Sequence, residues 1–184
     1  MSLHRFSDSE TGVVWYQFAD PAPAPGLRHA LITRLGGASA PPYAALNLGG
    51  TVGDDPHAVQ ENHRRAFAAL NVSGDQVVSP HQVHGAEVAE VGEEDGGTVI
   101  AGTDALITRE SGVALLLRFA DCVPVILYDP VREAVGLAHA GWRGVAAKVV
   151  PATVQAMAGA YGTAPEDLWA GVGPSIGPDH YVVG

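Results

Sequence analysis

The chain has 184 residues, enough for one globular unit with a real core, since a domain of that size removes roughly 70% of its unfolded surface from water. Its formal net charge of -10 argues against a broad surface of clustered cations, so nucleic acid is not an expected partner. Hydrophobic residues make up 47% of the chain, yet no apolar run approaches the roughly 20 residues that span a bilayer, and MSLHRFSDSETGVVW lacks the pattern of an export signal; a soluble, cytoplasmic protein with no membrane partner is expected.

In chain order, PAPAP (Pro21 to Pro25) reads as a stiff connector, and LRHALITR after it as a strand that runs into RLGGASAPPY, a Gly- and Pro-dense loop of the kind that carries binding residues. DDPHAVQENHRRAFAAL predicts a helix, with Asp54 or Asp55 as N-cap, Pro56 at its first position, Val59, Ala66, Phe67 and Leu70 spaced for one face, and Asn71 and Gly74 marking its end. Short strands are expected around QVVSPHQV and AEVAEV, with GEEDGGTVIAG as an exposed excursion before DALIT. The aliphatic runs VALLL, VPVILY and EAVGLAH read as core strands buried on both faces, the last two joined by the turn DPVR. VAAKVVPATVQAMAGAYG predicts a helix that Pro151 either bends or begins, and DLWAGVGPSIG a last strand and loop. No internal repeat is present, and the mixture of elements implies a layered α+β domain.

The single cysteine, Cys122, cannot form an internal disulfide, which leaves it as a core residue, a metal ligand or a nucleophile. Of the eight histidines, His4, His29, His57 and His63 have no second chemical feature beside them and read as structural or solvated. His81 and His84 in HQVHG would point to opposite faces of an extended segment, so one of the two is expected as a ligand. His84, Cys122 and His139 each sit where a strand meets a loop beside Gly or Pro. Two imidazoles and a thiolate form a zinc set that keeps a fourth position open for chemistry. The same residues admit a Cys–His hydrolase with Cys122 as nucleophile, or a merely buried thiol. Asp121, beside the cysteine, is a candidate to orient a ligand histidine or act as general base. Arg143, in AGWRG at the start of the next helix, would welcome a phosphate or carboxylate.

The stretches TRLGGASAPPYAALNLG, VGDDPHAVQENHRR, HQVHGAEV, TDALIT, ADCVPVILYDP and AHAGWRG, in this order from about Thr33 onward, resemble those of the YfiH/YlmD family, relatives of laccase-domain proteins. The resemblance implies a layered α/β/β/α sandwich with mixed central sheets, akin to Cys–His hydrolase-type folds, formed by residues 1–184 as one domain. It implies that His84, Cys122 and His139 bind zinc, and it matches His81 to no ligand. It also implies purine nucleoside chemistry: phosphorolysis of adenosine, inosine and methylthioadenosine, with deamination of adenosine. An older label for the family, copper-dependent polyphenol oxidase, makes copper the alternative metal; a laccase, however, needs a blue copper and a three-copper cluster, and this chain offers one three-ligand set.

For phosphorolysis the expected loop residues are Arg34, Gly36, Gly37, Asn47 and Arg143, and for deamination Asp121 would move the proton for a water activated by the metal. A non-catalytic zinc domain is the remaining reading. Family members normally continue beyond GPSIGPDHYVVG, where this chain stops at Gly184; a missing C-terminal segment and an exposed sheet edge are therefore expected, and with them a homo-oligomer.

Overall fold

The computed structural model describes residues 2–19 and 26–182, so the PAPAP connector lies outside the described residues. Two compact units partition the chain, Met1–Gly74 and Asp75–Gly184.

The first unit holds a three-stranded antiparallel sheet in the order β1 (Leu3–Ser7), β2 (Val14–Phe18), β3 (Leu31–Ile32), and the helix α1 (Pro56–Leu70). LRHALITR thus contributes only two strand residues. The reason is visible at His29, whose Nε2 accepts from the Phe18 N–H at 2.9 Å, a side chain standing where a ladder carbonyl would otherwise be. Helix α1 has the expected ends. Asp55 caps it by accepting from the His57 N–H at 3.0 Å, Pro56 occupies the first turn, and Asn71 closes it in the left-handed region at φ 50°. Its buried face also carries an unexpected polar residue, Asn62, which is fully enclosed. The Asn62 amide donates to Ser39 Oγ (2.8 Å) and to the carbonyls of Ala45 (3.2 Å) and Asn47 (2.8 Å), while its oxygen accepts from the Ala38 N–H (2.6 Å). One helix side chain therefore shapes the whole Gly- and Pro-rich loop, whose backbone has no ladder to satisfy it.

The second unit holds three further parts: a parallel sheet, a mixed sheet and two helices. In the first sheet β4 (Val77–Pro80) is flanked by β6 (Val99–Ile100) and β8 (Ala114–Leu115), both parallel to it. The acidic excursion therefore includes a short strand, and VALLL contributes only two residues of one. The five-stranded sheet runs β11 (Trp169–Val172), β9 (Val123–Asp129), β10 (Ala134–Ala140), β7 (Ala105–Thr108), β5 (Val88–Glu90). Only its β5–β7 pair is parallel. The central hairpin β9–β10 is buried on both faces as its unbroken aliphatic runs require.

The predicted helix after Gly144 is two helices, α2 (Trp142–Ala146) and α3 (Val149–Tyr161), separated by Lys148 in the left-handed region at φ 66°. Pro151 sits in the first turn of α3, where its missing N–H costs nothing. Alternation along the strands sorts the core. Ala105 and Ile107 of β7 join Ala134, Ala138 and Ala140 of β10 beneath Val149 and Met157 of α3, whereas Leu106 and Leu137 face Val78, Leu115 and Leu117 on the side of the parallel sheet. The result is a helix–sheet–sheet stack, and the chain as a whole is α+β with mixed sheets and few helices. Among the described residues no helix is long and apolar enough to cross a membrane.

Candidate metal centre

The strand pattern that sorts the core also builds the site. In the β7–β10 register Ala105 lies opposite Ala138 and Leu106 opposite Leu137. One step further brings Asp104 opposite His139, on the same face as the two leucines. The His139 N–H donates to the Asp104 carbonyl at 2.8 Å, and His139 Nδ1 lies 2.8 Å from Asp104 Oδ1. Both side chains are enclosed, with Asp104 at 0% and His139 at 3% exposure. A carboxylate at that depth is tolerable only if fully bonded. Its remaining capacity is met by three successive backbone donors, the N–H groups of Val83 (3.0 Å), His84 (2.9 Å) and Gly85 (2.8 Å). They line up because His84 adopts φ 61°, which curls the QVHG turn into a concave row of amides.

Burial alone would push the Asp104 carboxyl up, but the hydrogen bonds from His139 and the three amides outweigh it and hold it below the usual carboxylate range. Asp104 stays ionised, so His139 must donate from Nδ1. The lone pair of Nε2 is then free for another partner. Burial pushes the His139 imidazole down despite the attraction of Asp104, which favours the neutral ring that a metal requires.

Cys122 enters from the other side of the hairpin. Val123 pairs with Ala140 and Pro124 with His139, which sets Cys122 alongside Gly141. Burial, and then the carboxylates of Asp121 and Asp104, push its thiol up. The ligand atoms of His84, Cys122 and His139 all lie within 4.8 Å of one another, with His84 exposed, Cys122 half-buried and His139 buried. The two imidazoles meet edge to face at 4.9 Å between centroids, and Phe119 leans on His139 at 5.4 Å. Gly141 completes the cradle. A Cβ there would fall 3.0 Å from Cys122 Sγ and 3.0 Å from His84 Cδ2, close enough that the two donor side chains would have to shift by a few tenths of an ångström. Two imidazoles and one thiolate at this spacing fit zinc or another borderline-soft divalent ion, with a graded path from solvent at His84 to core at His139.

The sequence-derived candidates are therefore placed as follows. His84, Cys122 and His139 come together. His81 is not in the cluster. Asp121 is exposed in a bend before β9 and does not orient His139; that bond belongs to Asp104. Asp104 carried a signal in TDALIT, an acidic residue opening an apolar strand, which is costly unless bonded. Arg143 is exposed on the five-residue α2, with its guanidinium 5.2 Å from the Trp142 ring centre.

Arg34, Gly36, Gly37 and Asn47 lie in the first unit, where loop-building contacts are what the structure displays. The Arg34 carbonyl accepts from the Ala45 and Leu46 N–H groups at 3.1 and 2.8 Å. Gly36, at φ 89°, has no space for a Cβ beside Gly12, nor Gly37 beside Ala45. The Asn47 amide donates to Asp54 Oδ2 at 2.9 Å and to the Gly49 carbonyl at 3.2 Å.

Comparison with known proteins agrees with this architecture. Residues 28–184 match the family described as "Multi-copper polyphenol oxidoreductase laccase". The chain is 47% identical over 151 residues to a purine nucleoside phosphorylase of Streptomyces coelicolor, covering 82% of this chain and 62% of that protein. It is 40% identical over 176 residues to the purine nucleoside phosphorylase YlmD of Geobacillus stearothermophilus, covering 92% of this chain and 64% of that protein. The crystal structure of YlmD from the same organism superimposes with a TM-score of 0.88 at 39% identity, covering 96% of this chain and 67% of that one. The chain thus spans somewhat under two thirds of the length of the curated relatives it matches.

Proposed function

This chain belongs to the multi-copper polyphenol oxidoreductase laccase family, in which the YfiH and YlmD proteins are also found, and from that membership and its His–Cys–His cluster we propose that it is a zinc-dependent purine nucleoside enzyme. Its reactions are phosphorolysis of adenosine, inosine and methylthioadenosine, and deamination of adenosine. The observation that carries this reading is the donor set itself: three convergent ligands, one locked by a buried carboxylate and one open to solvent. A zinc ion bound there would supply Lewis-acid polarisation and activation of water at neutral pH.

The chain's own residues have distinct tasks. His139, its tautomer set by Asp104, presents Nε2; Cys122 and His84 complete the set. In the deamination the proton falls to the exposed carboxylate of Asp121, next in sequence to Cys122. Phosphate falls to Arg143, four residues after His139 in sequence. The names of relatives at 40 to 47% identity support the phosphorylase arm.

Two other readings fare less well. Among the described residues one such donor cluster is present, where a laccase needs a blue copper and a trinuclear centre, so zinc is preferred to copper. A cysteine hydrolase needs a thiol with a lowered pKa, and the surroundings of Cys122 push the opposite way.

The test is a chromatographic product assay on adenosine with and without phosphate, beside elemental analysis of the purified chain. Adenine formed only with phosphate supports the phosphorylase, and inosine in both samples supports the deaminase. Bound zinc with neither product would overturn the catalytic reading in favour of a zinc-binding domain, and copper with oxygen uptake on phenols would overturn the metal assignment.

A further inference from the structure

The three ligands come from three separate segments, and each pair of segments needs its own tie. Asp104 joins the His84 turn to His139. The β9–β10 ladder joins Cys122 to His139, through Pro124 opposite His139 and Val123 opposite Ala140. Among the described residues no strand ladder runs between the His84 turn and the segment that leads into Cys122: β8 ends at Leu115 and β4 at Pro80. Two side chains span that gap, Gln82 and Arg118. The Gln82 amide donates from Nε2 to the Arg118 carbonyl at 2.8 Å and accepts at Oε1 from the Arg118 N–H at 3.0 Å. It reads both polar groups of one residue, as a neighbouring strand would. Arg118 returns the tie, donating from Nη2 to the Pro80 carbonyl at 3.0 Å.

We infer that Gln82 is a positioning residue of the metal centre: its two-sided bond to the Arg118 backbone closes the third edge of the ligand triangle and sets the distance between His84 and Cys122. This rests on reading the His–Cys–His cluster as a metal site. Its effect runs through the backbone: Gln82 lies two residues before His84, and Arg118 four residues before Cys122. Loss of both bonds leaves the Arg118 guanidinium's bond to the Pro80 carbonyl as what remains of this direct tie, so the thiolate is the ligand released first.

The experiment compares the full chain with Gln82→Met, which keeps the length of the side chain and removes both bonds, and Gln82→Glu, which keeps the acceptor and removes the donor. Each is titrated with cobalt(II) against a chelator, and the thiolate-to-cobalt charge-transfer absorption is recorded at saturation. Gln82→Met is expected to bind cobalt roughly 10- to 100-fold more weakly, the usual range for outer-shell support, with a weakened thiolate band, and Gln82→Glu to fall between it and wild type. The band at saturation is a readout that a general loss of stability does not move. Wild-type affinity and an unchanged band in folded Gln82→Met would overturn the inference; if that variant fails to fold, the same result in Gln82→Glu overturns it. A wild-type chain that takes up no cobalt or zinc overturns the metal reading itself, a distinguishable failure.

Discussion

Asp104 Oδ1 accepts from His139 Nδ1 at 2.8 Å while the same carboxylate collects the N–H groups of Val83, His84 and Gly85. Two of the three candidate ligands are thereby set by one buried anion. Asp104→Asn turns one oxygen into a donor that faces other donors, so the His84 turn and the His139 tautomer are both disturbed. Zinc affinity is expected to fall roughly 10- to 100-fold by chelator competition. A pH signature accompanies it. The folded-state pKa of Asp104 is depressed, so its contribution to stability is complete above the ordinary carboxylate value of about 3.9 and is lost as pH falls through the lower, folded value. The metal-free wild type should show that acid-limb loss in a denaturation series, and Asp104→Asn should lack it.

Gly141 has a backbone that alanine tolerates, φ -74° and ψ 164°, so the effect of a methyl there is purely its volume. That methyl would meet Cys122 Sγ and His84 Cδ2 at 3.0 Å each. Gly141→Ala should fold with a near-normal unfolding midpoint yet bind zinc roughly tenfold or more weakly, since ligands held apart lose the support that fixes them. Unchanged affinity in isothermal titration would show that the cradle has more room than these contacts indicate.

What the chain discloses without a structure follows from the range of the physics. Helix α1 was legible because Asp55, Pro56 and Asn71 act within one turn of where they stand. The β9–β10 hairpin was legible because two aliphatic runs bracket a turn. Asp104 escaped assignment because its partner is 35 residues away and the pairing exists only in the β7–β10 register. Asn62 escaped because a polar residue on a helix reads as solvated until a loop is wrapped around it. The break at Lys148 shows the same limit from the other side: Pro151 pointed to a helix start, but the left-handed residue that makes the break is a lysine, with no intrinsic preference for it.

Metal removal should change the chemistry of Cys122 in a defined direction. Burial and the carboxylates of Asp121 and Asp104 push the free thiol up, so in metal-free protein it is protonated at neutral pH, and its alkylation rate should climb only above the ordinary thiol value of about 8.5. With zinc bound, the thiolate should be shielded and alkylation slower still across the whole range. Mass spectrometry of iodoacetamide-treated samples, with and without chelator from pH 6 to about 10, checks both halves. Fast labelling of the chelated protein at neutral pH would instead mark a thiol activated by its neighbours and return the cysteine-hydrolase reading to favour.

Asn62 offers a test confined to the first unit. Its four bonds, to Ser39 Oγ, the Ala45 and Asn47 carbonyls and the Ala38 N–H, have no replacement when the side chain is cut to Asn62→Ala, because the position is fully enclosed. Each buried group left unpaired costs about 1 to 3 kcal/mol, partly relieved where water enters, so a loss of about 3 kcal/mol is expected in urea denaturation. Asn62→Asp is the sharper probe. It keeps the oxygen for the Ala38 N–H and sets a second oxygen against two carbonyls, so it should cost at least as much at neutral pH; burial and those carbonyls push its carboxyl up, so part of the loss should be recovered as pH falls toward the ordinary carboxylate value of about 4, where the acid is a donor again. The Gly36–Gly37–Asn47 loop hangs on these bonds, so limited proteolysis should cut first there in either variant. Cobalt binding at His84, Cys122 and His139, all in the second unit, should meanwhile hold close to its wild-type affinity. A loss of metal binding that tracks the loss of loop order would show that the two units are energetically coupled.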